Sequence, residues 1–164
     1  MFRYLFKKLE ELLLPERQTN NGARYLEPVD ALRLIHQRIS HLAQQIESHA
    51  ETAPYPQVAE RLRRIANEKW NSGNRLKQII EKLHGSIPEQ LQFSGTGKNH
   101  WQRLIRDLED QKELDDLLSR YEFALSRQLP EITDFLQELK TMDDSHRQSL
   151  TQLIAVADPQ AAQT

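Results

Sequence analysis

The sequence predicts an all-α protein: a bundle of four long helices with a shorter amphipathic helix in front of it. Prolines stand only at positions 15, 28, 54, 56, 88, 130 and 159. Because proline breaks the interior of a helix, long helices can form only between these positions. Within the proline-free windows 29–53, 57–87, 89–129 and 131–158, apolar residues recur every three or four positions. This spacing is typical of helices that bury one face.

The composition excludes several classes of protein. The chain has 164 residues, with 22 Lys and Arg against 24 Asp and Glu, and no Cys. This length suits a single domain, and the near-neutral charge gives no basic field that would attract nucleic acid. Without Cys, a disulfide framework and a thiolate metal site are excluded. No apolar run approaches the roughly 18 residues of a membrane-spanning helix, so we expect a cytoplasmic protein.

The first predicted element is an amphipathic helix within residues 1–15, followed by a linker at 16–28. Its apolar side chains share one face of a helical wheel: Phe2, Leu5, Phe6, Leu9, Leu12 and Leu13. An amphipathic helix must bury such a face on something. We therefore expect it to pack on the bundle, to dock on a partner protein or a second copy, or to lie on a membrane surface. The acidic pair Glu10 and Glu11 makes the membrane surface the weakest of the three.

Residues 29–158 are predicted to form the four-helix bundle, and residues 159–164 a flexible tail. The predicted inner faces are Leu32, Ile35, Ile39, Leu42, Ile46 and His49; Val58, Leu62, Ile65, Lys69, Ser72, Leu76, Ile79 and Leu83; Trp101, Leu104, Leu108, Gln111, Asp115, Leu118 and Leu125; and Ile132, Phe135, Leu139, Met142, His146, Leu150 and Leu153. Short connections after the first and third helices predict antiparallel hairpins. The longer segment from Gly85, which we expect to end the second helix, to Asn99 predicts a crossover along the bundle.

Part of the sequence resembles the ferritin-like bundle, especially its rubrerythrin branch. The stretch Glu68-Lys69-Trp70-Asn71-Ser72-Gly73 and residues 76–85 are similar to the second helix of that family. Residues 108–121 are similar to its third helix, and residues 130–153, with Asp143-Asp144-Ser145-His146, to its fourth. The resemblance implies a di-iron centre held by a Glu from each of two helices and Glu-x-x-His from each of the other two. Bound iron of this kind activates oxygen or peroxide.

Most of the implied ligands are missing from this chain. The first helix has Ile39 where the family has a glutamate, and the second has Glu68-x-x-Asn71 or, one residue later, Lys69-x-x-Ser72. Only the fourth helix keeps a pair, Asp143-x-x-His146. The residues that remain for an iron site are Glu68, Asp115, Asp143 and His146, with Glu113 as an alternative to Asp115.

We therefore predict a non-enzymatic interaction or scaffold protein, ferritin-like but without a complete di-iron site or another cofactor. Its docking element is the N-terminal helix. Because a buried charge must be paired, Lys69 is expected to point towards Asp115 or Asp143, and His146 to hydrogen-bond a neighbour. The alternative hypothesis is an iron-binding oxidoreductase or iron-handling protein that uses the four ligands named above.

Two smaller expectations concern residues outside these motifs. His36, His41 and His49 are interpreted as solvated or partly buried helix residues, since their spacing does not suit a shared metal ion. Tyr121 and Phe123 are expected in the core or at its rim.

Overall fold

The computed structural model describes residues 27–87, 89 and 97–157, and within these ranges its regular elements are all helical. The α-helices are α1 (Pro28–Glu51), α2 (Pro56–Lys82), α3 (His100–Gln128) and α4 (Thr133–Val156), with a 3-10 turn at Pro130–Ile132 before α4. The predicted all-α class is confirmed. The predicted N-terminal helix, residues 16–26 of the linker and the tail at 159–164 lie outside the described residues.

The helices begin where the sequence offers starting signals. Pro28 and Pro56 occupy the first turns of α1 and α2, where the fixed φ of proline suits a helix and its missing N–H is not needed. Asn99 caps α3, because its side-chain oxygen accepts a 2.8 Å hydrogen bond from the backbone N–H of Gln102. This bond satisfies one of the free N–H groups at the helix start.

The end of α2 differs in detail from the prediction that Gly85 terminates it. The left-handed residue is His84, with φ 58°. Its N–H donates to the carbonyl of Glu81 at 3.0 Å, and the N–H of Gly85 donates to the carbonyl of Ile80 at 2.9 Å. These two bonds form a Schellman motif. Gly85 is needed for close packing, since a Cβ there would lie 2.7 Å from methyl groups of both Ile80 and Val29.

Contacts between the helices establish the topology. Across α1 and α3, Arg38 pairs with Glu113 and His49 with Asp107. Across α2 and α4, the matching pairs are Lys69 with Asp143, Arg61 with Ser149, and Arg75 with Glu138. In both seams, rising numbers on one helix meet falling numbers on the other, so the helices are antiparallel.

The two hairpins, α1–α2 and α3–α4, are antiparallel as well. Trp70 bonds to Glu47 and Arg33 to Ser86 in the first, and Asp115 pairs with Arg147 and Glu122 with Lys140 in the second. It follows that α2 and α3 run parallel. Residues 83–99 therefore join opposite ends of the bundle, as the crossover prediction requires.

The core follows the predicted stripes with a few differences. All six predicted inner residues of α1 are buried, and in α2 the polar residues Lys69 and Ser72 are buried as well. In α4 the prediction placed Met142 on the inner face, but Met142 is only partly buried and its neighbour Asp143 is buried instead. The expectation for Phe123 is wrong: its side chain is 72% exposed and lies under the guanidinium of Arg127. Among the helices of the described ranges, none is both long and apolar enough to cross a membrane.

Replacing Gly85 with alanine is expected to destabilise the protein by about 1–3 kcal/mol, because the added methyl overlaps a packed core. Gly73→Ala is the matched control, since its methyl would meet Ser40 and Ile39 at ordinary distances of 3.6 and 3.7 Å. Inside a helix, alanine is favoured over glycine by about 1 kcal/mol, so Gly73→Ala should leave stability unchanged or raise it. Urea unfolding followed by circular dichroism measures both, and equal midpoints for the two variants would contradict the packing described for Gly85.

Candidate functional site

A buried ion pair lies midway along the seam between α2 and α4. Lys69 Nζ is 2.9 Å from Asp143 Oδ1, and the two side chains are 1% and 2% exposed. Lys69 is turned inward because it lies on the same helical face as Leu62, Ile65 and Leu76, whose burial fixes the orientation of α2. Of the two partners that the sequence allowed, the structure selects Asp143.

His146 follows Asp143 by one helical turn and extends the cluster towards the surface. Its Nε2 is 2.7 Å from Oε2 of Glu68, whose side chain is 44% exposed. Because a carboxylate accepts hydrogen bonds, this contact places a proton on Nε2. The other ring nitrogen, Nδ1, is 3.5 Å from Asp143 Oδ1 without a hydrogen bond to it. The expectation that His146 bonds a neighbour is confirmed, and the neighbour is Glu68.

Opposing effects act on the carboxyl group of Asp143. Burial alone raises its pKa, but the Lys69 ammonium and the His146 imidazole outweigh burial and bring the pKa below its ordinary value. Asp143 is therefore ionised at neutral pH and forms a genuine ion pair with Lys69. Its second oxygen, Oδ2, is buried and has no hydrogen-bond partner.

Asp115, the remaining predicted ligand, is directed elsewhere. Its Oδ1 accepts a hydrogen bond from Gln111 and its Oδ2 one from Arg147, both at 2.9 Å. Burial and the negative charge of Asp143 raise the pKa of Asp115, against the hydrogen bond from Gln111. Glu113, the alternative, pairs with Arg38 at 3.0 Å. The structure thus brings together Glu68, Asp143 and His146 but not the acidic residues of α3.

These residues do not fit a di-iron centre. Such a centre needs carboxylates from all four helices and two histidines, whereas Ile39 and Ser72 fill the inner positions of α1 and α2. Lys69 adds a positive charge 2.9 Å from the carboxylate of Asp143, one of the ligands that such a centre would need. In the part of the chain that the structure describes, no three His, Asp or Glu side chains are arranged to hold a metal ion.

A second buried polar network, which was not predicted from the sequence, joins α1 to α3. His49 Nδ1 lies 2.8 and 2.9 Å from the two oxygens of Asp107, and Gln45 donates to Asp107 at 2.9 Å and to Asp110 at 3.0 Å. Asp107 is completely buried, and burial raises its pKa against the effects of His49 and Gln45. The interpretation of His49 and His36 as solvated or partly buried is wrong, since both are buried.

One signal in the sequence could have revealed this network. Asp107 lies three residues after Leu104 and four before Gln111, which places it on the inner face of α3. Gln45 and His49 are likewise one turn apart on α1. A carboxylate on an inner face needs a partner, and these two side chains were the candidates.

Comparison with known proteins adds no relative to this picture: no protein-family model matches the sequence, and no curated protein matches it either.

Replacing Lys69 with methionine is expected to destabilise the protein by about 3–5 kcal/mol, because Asp143 stays buried without its cation. The double variant Lys69→Met/Asp143→Leu removes both charges and should recover most of this loss. Arg64→Met is the matched control: its pair with Glu60 spans 3.9 Å between side chains 68% and 75% exposed, and such pairs contribute below about 1 kcal/mol. Chemical unfolding measures all three. A loss in Lys69→Met no greater than in Arg64→Met would contradict the buried pair.

Replacing His41 with glutamine is expected to alter how stability depends on pH. Burial, with the charges of Arg38 and Arg106, lowers the pKa of His41 from 6.5 to about 4. Between these values the unfolded chain holds the extra proton, so the contribution of His41 to stability falls as the solution becomes more acidic. The stability of the wild type relative to His41→Gln should therefore decline from pH 7 to 4, by at most about 1.4 kcal/mol per pH unit. Parallel stability curves for the two proteins would show that the prediction is wrong.

Proposed function

We propose that this chain is a ferritin-like bundle that acts as an interaction or scaffold protein, without a di-iron centre and without redox chemistry of its own. The observation that carries the proposal is the 2.9 Å ion pair between Lys69 and Asp143. The resemblance implies metal ligands on the inner face of α2, where Lys69 lies. The ion pair connects Lys69 to Asp143, the acidic residue of the remaining Asp-x-x-His motif. The ammonium supplies the positive charge that a bound cation would otherwise supply.

The connectivity of the helices supports the ferritin-like part of the proposal. Two antiparallel hairpins with α2 parallel to α3 are the arrangement that a long crossover between the second and third helices produces. The pairs Lys69–Asp143 and His49–Asp107, one in each seam between the hairpins, fit this arrangement.

The interaction part rests on where the chain holds apolar surface. The large hydrophobic side chains exposed on the described bundle are Tyr55, Phe123 and Val156. By contrast, six apolar residues share one predicted face within residues 2–13. We therefore assign docking to this N-terminal helix, with a protein or a second copy of the chain as its partner in the cytoplasm. A membrane surface is the second candidate, and nucleic acid is not proposed.

Metal content distinguishes this proposal from the iron-dependent alternative. The protein is expressed with added iron, purified without a His tag and analysed by mass spectrometry. We expect far less than one iron per chain, because Lys69 competes for Asp143 and Asp115 is bonded to Arg147. About two irons per chain would instead support an oxidoreductase or iron-handling protein that uses Glu68, Asp115, Asp143 and His146.

The docking role is tested with the full chain, a chain lacking residues 1–15, and the variants Leu5→Asp and Leu9→Asp. Lys7→Ser, on the predicted polar face, is the control. Light scattering measures self-association, and co-purification from the native cell measures binding to another protein. The deletion and both Asp variants should lose the association that Lys7→Ser keeps. The same number of chains per particle and the same co-purified proteins in all five samples would contradict the proposal. Sedimentation with liposomes by the full chain, but not by the chain lacking residues 1–15, would favour the membrane surface.

A further inference from the structure

The buried cluster in the α2–α4 seam contains two polar atoms that make no hydrogen bond. His146 lies between two carboxylates, with its Nε2 2.7 Å from Glu68 Oε2. Its Nδ1 is 3.5 Å from Asp143 Oδ1 inside the protein. Neither His146 Nδ1 nor Asp143 Oδ2 has a hydrogen-bond partner, although the side chains are 2% exposed.

Lys69 Nζ brings a positive charge into this cluster and bonds to Asp143 Oδ1 at 2.9 Å. A carboxylate and an imidazole are also ligands that divalent transition metals bind. The second carboxylate, Glu68, is hydrogen-bonded to the far side of the imidazole, as the carboxylate behind a metal-bound histidine usually is.

We propose that Lys69 determines whether this cluster binds a divalent cation: its ammonium occupies the cation position beside Asp143 and His146, and its removal opens a site for one metal ion there. Asp143 and His146 Nδ1 are the protein ligands of that site. Glu68 is a positioning residue, because it holds the imidazole with Nδ1 directed inward. This role rests on the proposed function, in which the ammonium takes the place of a cation, and it assigns the exclusion of metal to that one side chain.

Binding of Co²⁺ tests the proposal, because this ion takes the same nitrogen and oxygen ligands and is visible by absorption. Wild type, Lys69→Ala and Lys69→Ala/Asp143→Asn are titrated with Co²⁺ and melted with and without it. Lys140→Ala is the control, since it removes a lysine whose carboxylate partner, Glu122, lies at the rim. Only Lys69→Ala should bind one Co²⁺ per chain and melt at a higher temperature in its presence. Adding Glu68→Gln to Lys69→Ala should weaken binding about 10–100-fold.

Equal Co²⁺ affinity in wild type and Lys69→Ala overturns the proposal, as does binding that survives Asp143→Asn. If Lys69→Ala is unfolded without metal, folding on addition of Co²⁺, followed by circular dichroism, is the supporting result. If it stays unfolded, Lys69→Gln, which keeps the bulk of the side chain without its charge, takes its place in the same titration. Failure of both variants to bind Co²⁺ also overturns the proposal. Iron in the wild-type protein would overturn both this proposal and the proposed function. Failure of the Lys69 variants to bind Co²⁺ beside an iron-free wild type would overturn this proposal alone, so the two failures are distinguishable.

Discussion

The arrangement of the bundle depends on a single ion pair buried between its two hairpins. Lys69 and Asp143 are almost completely removed from water, and each charge alone would be costly to bury. They compensate one another only while α2 and α4 keep their observed distance and axial position. The hydrogen bond between Glu68 and His146 lies beside this contact. The charges of Asp143 and Lys69 also act, in opposite directions, on the pKa of Asp115.

The Lys69–Asp143 pair is one of several buried polar contacts between the two hairpins. The fully buried side-chain hydrogen bonds among the described residues join one hairpin to the other: Lys69 to Asp143 between α2 and α4, and Gln45 and His49 to Asp107 between α1 and α3. Within the α1–α2 hairpin the helices meet closely through small residues, as where Gly73 lies beside Ser40. Buried polar contacts thus join the two hairpins in both seams.

Much of this could be predicted from the sequence, because helix periodicity determines which residues share a face. The stripe of α2 placed Lys69 inside, and the long segment after Gly85 indicated that α2 and α3 are parallel. Periodicity does not give the axial position of one helix against another. For that reason the choice between Asp115 and Asp143 stayed open, and the contact between His49 and Asp107 was missed. The amphipathic pattern at residues 2–13 stays a prediction.

Leucine-rich faces look alike from one turn to the next, so apolar packing alone leaves the axial register of two hairpins weakly defined. A slip of one helical turn, about 5.4 Å, would put Lys69 against Leu139 and leave Asp143 without a cation. The same displacement would separate His49 from Asp107 on the opposite seam. Every slipped arrangement therefore buries unpaired polar groups on both seams at once, at a cost of several kcal/mol. Among alignments with similar apolar packing energy, these two polar contacts favour the observed one.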